Sequence, residues 1–326
     1  MRETIPPPSE STYDLIGDIH GYEEPLRNLL AKLGYQDNGA TYCHPEGRQV
    51  IFLGDFIDRG PKIRETLHLV KAMVDAGHAL AVMGNHEYNA VCFQTPDGNG
   101  DFLRSRIEDG GKNVVQHQAT LDAFVGYEEE WNDWIKWFKT LPFSLDLGGL
   151  RAVHATWCPS TLEFLANKSL EDPDFLNESA QKGSSEFTAV ETVLKGINLP
   201  LPAGHAYTDK QGIQRPNIRV RWWEQPYGKS YREIVYPDCE SIPEIPVKLG
   251  PSNAWEGYPT NDPPVFFGHY WVPSSSKIGP VSTNAACLDF SVSEANGKLV
   301  AYRWDGEAEL NPKKFIPVST NEMKIA

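Results

Sequence analysis

Short apolar runs that stop at a glycine recur along the chain. Residues 13–16, 50–53, 79–83 and 264–267 are largely aliphatic or aromatic, and they lead into Gly17, Gly54, Gly84 and Gly268. Runs of this length and composition, bounded by glycine, predict buried strands. Stretches of a different period lie between the first three. Residues 23–33 carry acids in the first turn and end before Gly34. Residues 62–75 place Ile63, Leu67, Val70 and Val74 at helical spacing and stop at Gly77. Both predict helices, the second opened by Pro61. The first third of the chain thus predicts strand–helix–strand–helix–strand, with a loop over 35–48.

The pattern then becomes less regular. After a polar loop over 94–112, residues 117–139 predict helix in two pieces, with Trp131, Trp134, Trp137 and Phe138 as a packing face. Residues 143–147 and 150–154, around Gly148-Gly149, predict a hairpin. Helical character returns over 160–168 and 186–195. The tract 200–263 is rich in proline and aromatics and has no clear period. Inside it, 218–223 reads as a strand, with Arg219 and Arg221 on one side and Val220 and Trp222 on the other. Strands over 286–292 and 298–304, joined at Asn296-Gly297, precede a polar tail. The expected organisation is one domain over 1–326, with 157–262 as a capping insertion and 1–11 as a flexible lead-in.

Composition narrows the function. At 326 residues, 40% hydrophobic and 23% charged, the chain reads as a soluble globular protein with a large core. It has no apolar run of about 18 residues and no apolar signal core at its start, so the expectation is a cytoplasmic protein without a membrane partner. Cys43, Cys92, Cys158, Cys239 and Cys287 are scattered without CxxC spacing, as reduced thiols would be. A net charge of −14 argues against a nucleic-acid partner. It does not oppose an anionic substrate, because bound cations and a few arginines invert the local field. The oligomeric state is left open.

The strand ends carry the chemistry. Collected, they supply Asp18, His20, Asp55, Asp58, Arg59, Asn85, His86, His154 and His269. Ligands gathered at the C-terminal ends of strands are how open α/β sheets build sites. Nitrogen and oxygen ligands without cysteine suit Mn, Fe, Zn or a similar divalent ion. There are enough for two ions if one carboxylate bridges, and Asp55 is the natural bridge. Such a pair clamps a phosphate and lowers the pKa of a shared water. His44, His68, His78, His117 and His205 read instead as ordinary structural or surface groups.

The motifs GDIHG (17–21), GDFIDRG (54–60), GNHE (84–87), VHA (153–155) and FGH (267–269) occur in an order that resembles the calcineurin-like metallophosphoesterases. Within that superfamily they are similar to the phosphoprotein-phosphatase branch and its bacterial diadenosine-tetraphosphatase-like relatives. The resemblance implies a two-sheet α/β/β/α sandwich with helices outside and a capping insertion. It implies two divalent metal ions, Mn first, with Fe, Zn, Ni or Co as alternatives. One would sit on Asp18, His20 and Asp55, the other on Asp55, Asn85, His154 and His269. His86 would be the general acid, oriented by Asp58. Arg59 would grip the phosphoryl oxygens beside Asn85, with Arg219 or Arg221 as a second arginine.

The sequence departs from the wider family at Trp271, where relatives carry a second histidine of a GHxH motif. It departs from the phosphoprotein-phosphatase branch at Ala155. The implied function is phosphate-monoester hydrolysis by a metal-bridging hydroxide, on a phosphoprotein. Hydrolysis of dinucleoside polyphosphates or other nucleotides is the alternative, and a non-catalytic phosphate-binding regulator is an alternative of another class.

Overall fold

A computed structural model describes residues 12–208, 214–250 and 255–320. The expected lead-in over 1–11 lies outside them, as do 209–213 and 251–254 of the expected insertion. The first strand, β1 (Tyr13–Ile16), leads into helix α1 (Glu23–Leu33), which Gly34 ends in the left-handed conformation. A small hairpin, β2 (Gln36–Asp37) and β3 (Tyr42–Cys43), interrupts the expected loop. Then come β4 (Gln49–Phe52), α2 (Ile63–Asp75), β5 (Ala79–Ala81) and α3 (Asn85–Gln94). Two further helices, α4 (Lys112–Ala123) and α5 (Glu128–Thr140), lead to the hairpin β6 (Ser144–Asp146) and β7 (Arg151–Val153).

Helices α6 (Pro159–Leu165), α7 (Pro173–Ala180) and α8 (Ser185–Lys195) follow. Next are β8 (Asn198–Pro200), β9 (Tyr207–Thr208), β10 (Gln214–Arg215), β11 (Asn217–Arg219) and the single-turn α9 (Tyr231–Ile234). The chain closes with β12 (Val265–Phe267), β13 (Ala285–Cys287), β14 (Asp289–Phe290), β15 (Lys298–Trp304) and β16 (Phe315–Ser319).

Two sheets carry the molecule. One runs β14-β15-β1-β4-β5, with β16 also on β15; in it β1, β4 and β5 are parallel. The other runs β13-β12-β7-β6, with β13, β12 and β7 parallel. The fold is the mixed α/β arrangement expected. A single apolar core joins both sheets to α1, α2, α5, α7 and α8. It includes Trp131, Trp134 and Phe138, as the packing face of 117–139 requires. A second, smaller core gathers Leu199, Leu201, Ile218, Val220, Ile234 and Trp255 within the proline-rich tract. Residues 159–195 belong to the main core, so only the latter part of 157–262 has an interior of its own.

Three expectations are corrected. The run 218–223 is not one strand: β11 stops at Arg219, and Trp222 donates to the carbonyl of Val220 at 2.9 Å, so the chain turns and the alternation is lost. The run 286–292 is not one strand either. It passes from the second sheet (β13) to the first (β14) within a few residues, and apolar on both faces it gave no sign of the crossing. The tail after Asp305 contains β16, whose residues pair with β15.

Candidate active site

The parallel strands of both sheets deliver their C-terminal ends to one place. Asp18 and His20 follow β1, Asp55 follows β4, Asn85 and His86 open α3 after β5, His154 follows β7 and His269 follows β12. All are buried except His86, whose side chain is 13% exposed. The strand-end glycines make the close approach possible. A Cβ on Gly268 would lie 2.0 Å from Asp18 Oδ1, and one on Gly84 would lie 2.4 Å from Asp55 Oδ1. Positive φ values cluster here as well: His20, Asp55, Asp58, Arg59, His269 and Trp271 lie between 49° and 70°. Each costs roughly 1–2 kcal/mol. Strain concentrated at one point indicates that the surroundings dictate where these side chains go.

Asp55 stands at the centre. Its Oδ2 lies 3.7 Å from His20 Nε2 and 3.8 Å from His86 Nε2, and its Oδ1 lies 3.4 Å from His154 Nε2. His20, Asp55 and His86 form one tight triad of potential ligands and Asp55, His154 and His269 another, so Asp55 is common to both. Asn85 Oδ1 accepts from His154 Nε2 at 3.0 Å and His269 Nδ1 at 2.6 Å. Asp18 stands outside both triads, with its carboxylate accepting the His269 backbone N–H at 3.1 Å. Glu87 supports the turn from behind: its carboxylate accepts the N–H groups of Asp55 and Phe56, both at 2.8 Å.

The electrostatics fit cation binding. Burial, then the positive charge of Arg59, pushes the His20 imidazole well below its ordinary pKa; burial and Arg219 do the same to His269. Neutral imidazoles are the form that ligates. His20 donates Nδ1–H to the carbonyl of Ile57 at 2.9 Å, which leaves Nε2 with its lone pair. That Nε2 and the Nε2 of His269 are buried without a partner among the described residues. For Asp55, burial opposes ionisation, but His154, His86 and His20 outweigh it and hold the carboxyl well below its usual range. Burial likewise opposes charge on His154, yet Asp55 and Asp18 lift it to about 10. The proton held there is what a divalent cation would displace.

Residues 12–269 match the model of the family described as calcineurin-like phosphoesterase. The chain belongs to that family. Among curated relatives, it is 46% identical over 74 residues to the bis(5'-nucleosyl)-tetraphosphatase PrpE of Halalkalibacterium halodurans, which covers 23% of this chain and 30% of the relative. It is 47% identical over 73 residues to the corresponding protein of Oceanobacillus iheyensis, covering 22% and 29%. The chain therefore spans under a third of these relatives' length. Among solved structures, the cold-active protein-tyrosine phosphatase of a psychrophilic Shewanella aligns at 15% identity and a TM-score of 0.45, over 95% of this chain and 80% of the other. A protein serine/threonine phosphatase of Saccharomyces cerevisiae aligns at 15% identity and a TM-score of 0.44, over 97% and 81%.

Around this calcineurin-like centre the structure adds residues that sequence reasoning missed. Asp58 holds His86 Nδ1 at 2.5 Å on one oxygen and His117 Nδ1 at 2.8 Å on the other, where Thr120 also donates. His117, read from sequence as an ordinary structural histidine, thus shares the carboxylate that holds His86. Only its place on an α4 face beside Thr120 could have hinted at this. Asp289, a lone acid in an apolar run, is 2% exposed and accepts from the Trp271 backbone N–H at 2.7 Å. Trp271 in turn lies under the Arg59 guanidinium, 3.8 Å from ring centroid to Cζ, and Arg59 Nη2 reaches His86 Nε2 at 3.3 Å. The residue that departs from the GHxH pattern is therefore a platform for the expected phosphate arginine.

The two later arginines part company. The charge of Arg219 helps hold the His269 imidazole below its ordinary pKa. Arg221 pairs with Asp238 and lies 3.5 Å from Glu224, and its Nε donates to the carbonyl of Val235 at 3.2 Å.

Proposed function

We propose that the protein is a dinuclear-metal phosphoesterase that transfers a phosphoryl group to water. The observation that carries this reading is the pair of buried, partnerless imidazole nitrogens, on His20 and His269, flanking the ionised Asp55. His20 and Asp55, with Asp18 adjusting toward them, would hold one divalent ion. Asp55, Asn85, His154 and His269 would hold the other. When bound, such a pair, manganese first among the candidates, polarises the phosphoryl group and makes a shared water acidic.

The chain's own residues supply the rest. Arg59, stacked on Trp271, offers its planar donor fork to the phosphoryl oxygens, with Asn85 beside it. Arg219 is the second clamp in preference to Arg221, whose charge is already answered. His86, held by Asp58 through Nδ1, presents Nε2 to the leaving oxygen; Nε2 accepts from Arg59 in the free protein, and it carries the proton it supplies once Arg59 has turned to the phosphoryl oxygens. The segment with its own small core acts as the cap, narrower than 157–262.

For the substrate, the segment shared with the tetraphosphatases supports a nucleotide phosphoanhydride. A second reading, a phosphoprotein, draws on Trp222 and Trp223. Both are buried, packed on Phe267 at ring-centroid distances of 5.1 and 5.3 Å, and so unavailable as a slot for a base. The test is a substrate panel on manganese-loaded protein with a chelated control: nitrophenyl phosphate, phosphoserine and phosphotyrosine peptides, and diadenosine tetraphosphate. Hydrolysis of none of these by loaded protein would sink the enzyme reading in favour of a phosphate-binding regulator.

A further inference from the structure

A small recess opens beside His86. Besides Phe93 it is lined by Asn89, Arg104, Asn113, Gln116 and His117, and its cavity volume is about 10 Å³, room for one water-sized oxygen. Asn89 stands on α3 one turn beyond His86, so the two share a face. Arg104 comes from the loop after α3, and Gln116 and His117 come from α4. Arg104 donates to Asn89 Oδ1 at 3.0 Å and to Gln116 Oε1 at 2.9 Å. With their oxygens turned to Arg104, both amides leave NH₂ groups as donors.

Arg104 and the amides put donors on one wall of the recess, beside the ring of Phe93. Among the described residues, no carboxylate lies within ion-pair distance of Arg104, in a chain whose net charge is −14. The acid on its wall, Asp58, is already engaged by His86, His117 and Thr120. A half-buried guanidinium flanked by amides and lacking a counter-ion is a receptor for an anionic oxygen.

We propose that this recess is a leaving-group subsite that receives a phosphoryl oxygen on the far side of the scissile bond. Its substrates are then phosphoanhydrides in preference to simple monoesters. The inference rests on the phosphoesterase reading and specifies what departs. In the reaction the water oxygen bonds to phosphorus as water gives up a proton to bulk solvent. The bridging P–O bond breaks, and its electron pair goes to the leaving phosphoryl group. Arg104 answers the charge that develops there, and His86 supplies a proton where the leaving oxygen needs one.

Two variants test this, Arg104→Gln and Asn89→Asp; the second keeps the guanidinium and places a negative charge in the recess. Each is measured for binding of imidodiphosphate and of inorganic phosphate by calorimetry. Each is also measured for kcat/KM on diadenosine tetraphosphate and on nitrophenyl phosphate, with melting temperatures as a fold check. Losing a charge-assisted contact predicts that imidodiphosphate binding, and the anhydride-to-aryl ratio of kcat/KM, fall on the order of 10–100-fold in both variants. Equal losses on both substrates, or no loss on either, overturn the subsite. Wild-type protein that cleaves nitrophenyl phosphate but no anhydride overturns it too, while leaving the phosphoesterase reading standing. If wild type cleaves neither, that reading fails instead. The binding comparison then still decides the recess: an unchanged preference for imidodiphosphate in the variants rejects it.

Discussion

His117 and Asp58, 59 residues apart in the chain, meet through a 2.8 Å hydrogen bond from the imidazole Nδ1 to the carboxylate Oδ1. That bond occupies the oxygen His86 does not use, and so fixes the plane of the carboxylate that orients His86. His117→Ala is expected to lower kcat by about 10-fold with little change in KM and with metal content kept, the usual scale for an outer orienting partner. His117→Asn, whose amide N–H can stand near the Nδ1 position, should recover part of the loss. An alanine variant with wild-type kcat would reduce the contact to packing.

Metal binding is predicted to centre on Asp55. Asp55→Asn should lose most of two bound ions per chain, because a neutral amide bridges two cations poorly. Elemental analysis after reconstitution measures this. A variant that keeps both ions and full activity would refute the bridge.

His86→Asn should keep its metals and lower kcat by roughly 10²–10⁴-fold, the range of general acid catalysis. The loss should be larger for alkyl phosphates such as phosphoserine than for nitrophenyl phosphate, whose leaving group needs little protonation. Since His86 also lies in a ligand triad with His20 and Asp55, metal loss in this variant would make it a ligand and remove the role given to it.

The two arginines are expected to separate cleanly. Arg219→Ala should lower kcat/KM by about 10–100-fold without metal loss, as removal of a charged phosphate contact does. Arg221→Ala should stay within about 2-fold in kinetics, since its partners are Asp238 and Glu224. The reverse order would place the clamp on Arg221.

Stability of the metal-free protein should fall as pH rises from about 7 to 10, above the range in which the depressed His20 and His269 make it rise with pH. Burial, then the Asp55 charge, raises Glu87 to about 7, and the Asp55 and Asp18 charges overcome burial to lift His154 to about 10. A folded-state pKa above the unfolded value gives stability that is complete below the unfolded pKa and lost as pH climbs through the folded one. Asp55 and Asp58, both depressed, give stability present above about pH 4 and lost below it. Melting scans in chelator should therefore peak at about pH 7 and drop on the order of 5 °C by about pH 10. Manganese should flatten the alkaline side, because a cation replaces the protons that are leaving. A chelated protein whose melting point climbs between about pH 7 and 10 would contradict these assignments.

The sequence by itself determined the frame and the candidate ligands. Glycine-bounded apolar runs marked β1, β4, β5 and β12, because a buried strand must be apolar and must stop where the backbone turns. The same glycines flagged Asp18, Asp55, Asn85 and His269, since they exist to let these strand ends crowd together. Tertiary structure alone decided what came from afar. His117 reached Asp58 from a helix whose own pattern recorded only packing. Asp289 reached Trp271 because an apolar stretch changed sheets without changing composition. Arg219 was separated from Arg221 by a turn that spacing could not see. Local pattern reports how a segment buries itself; which distant segment it is buried against is settled only when the two sheets close around one centre.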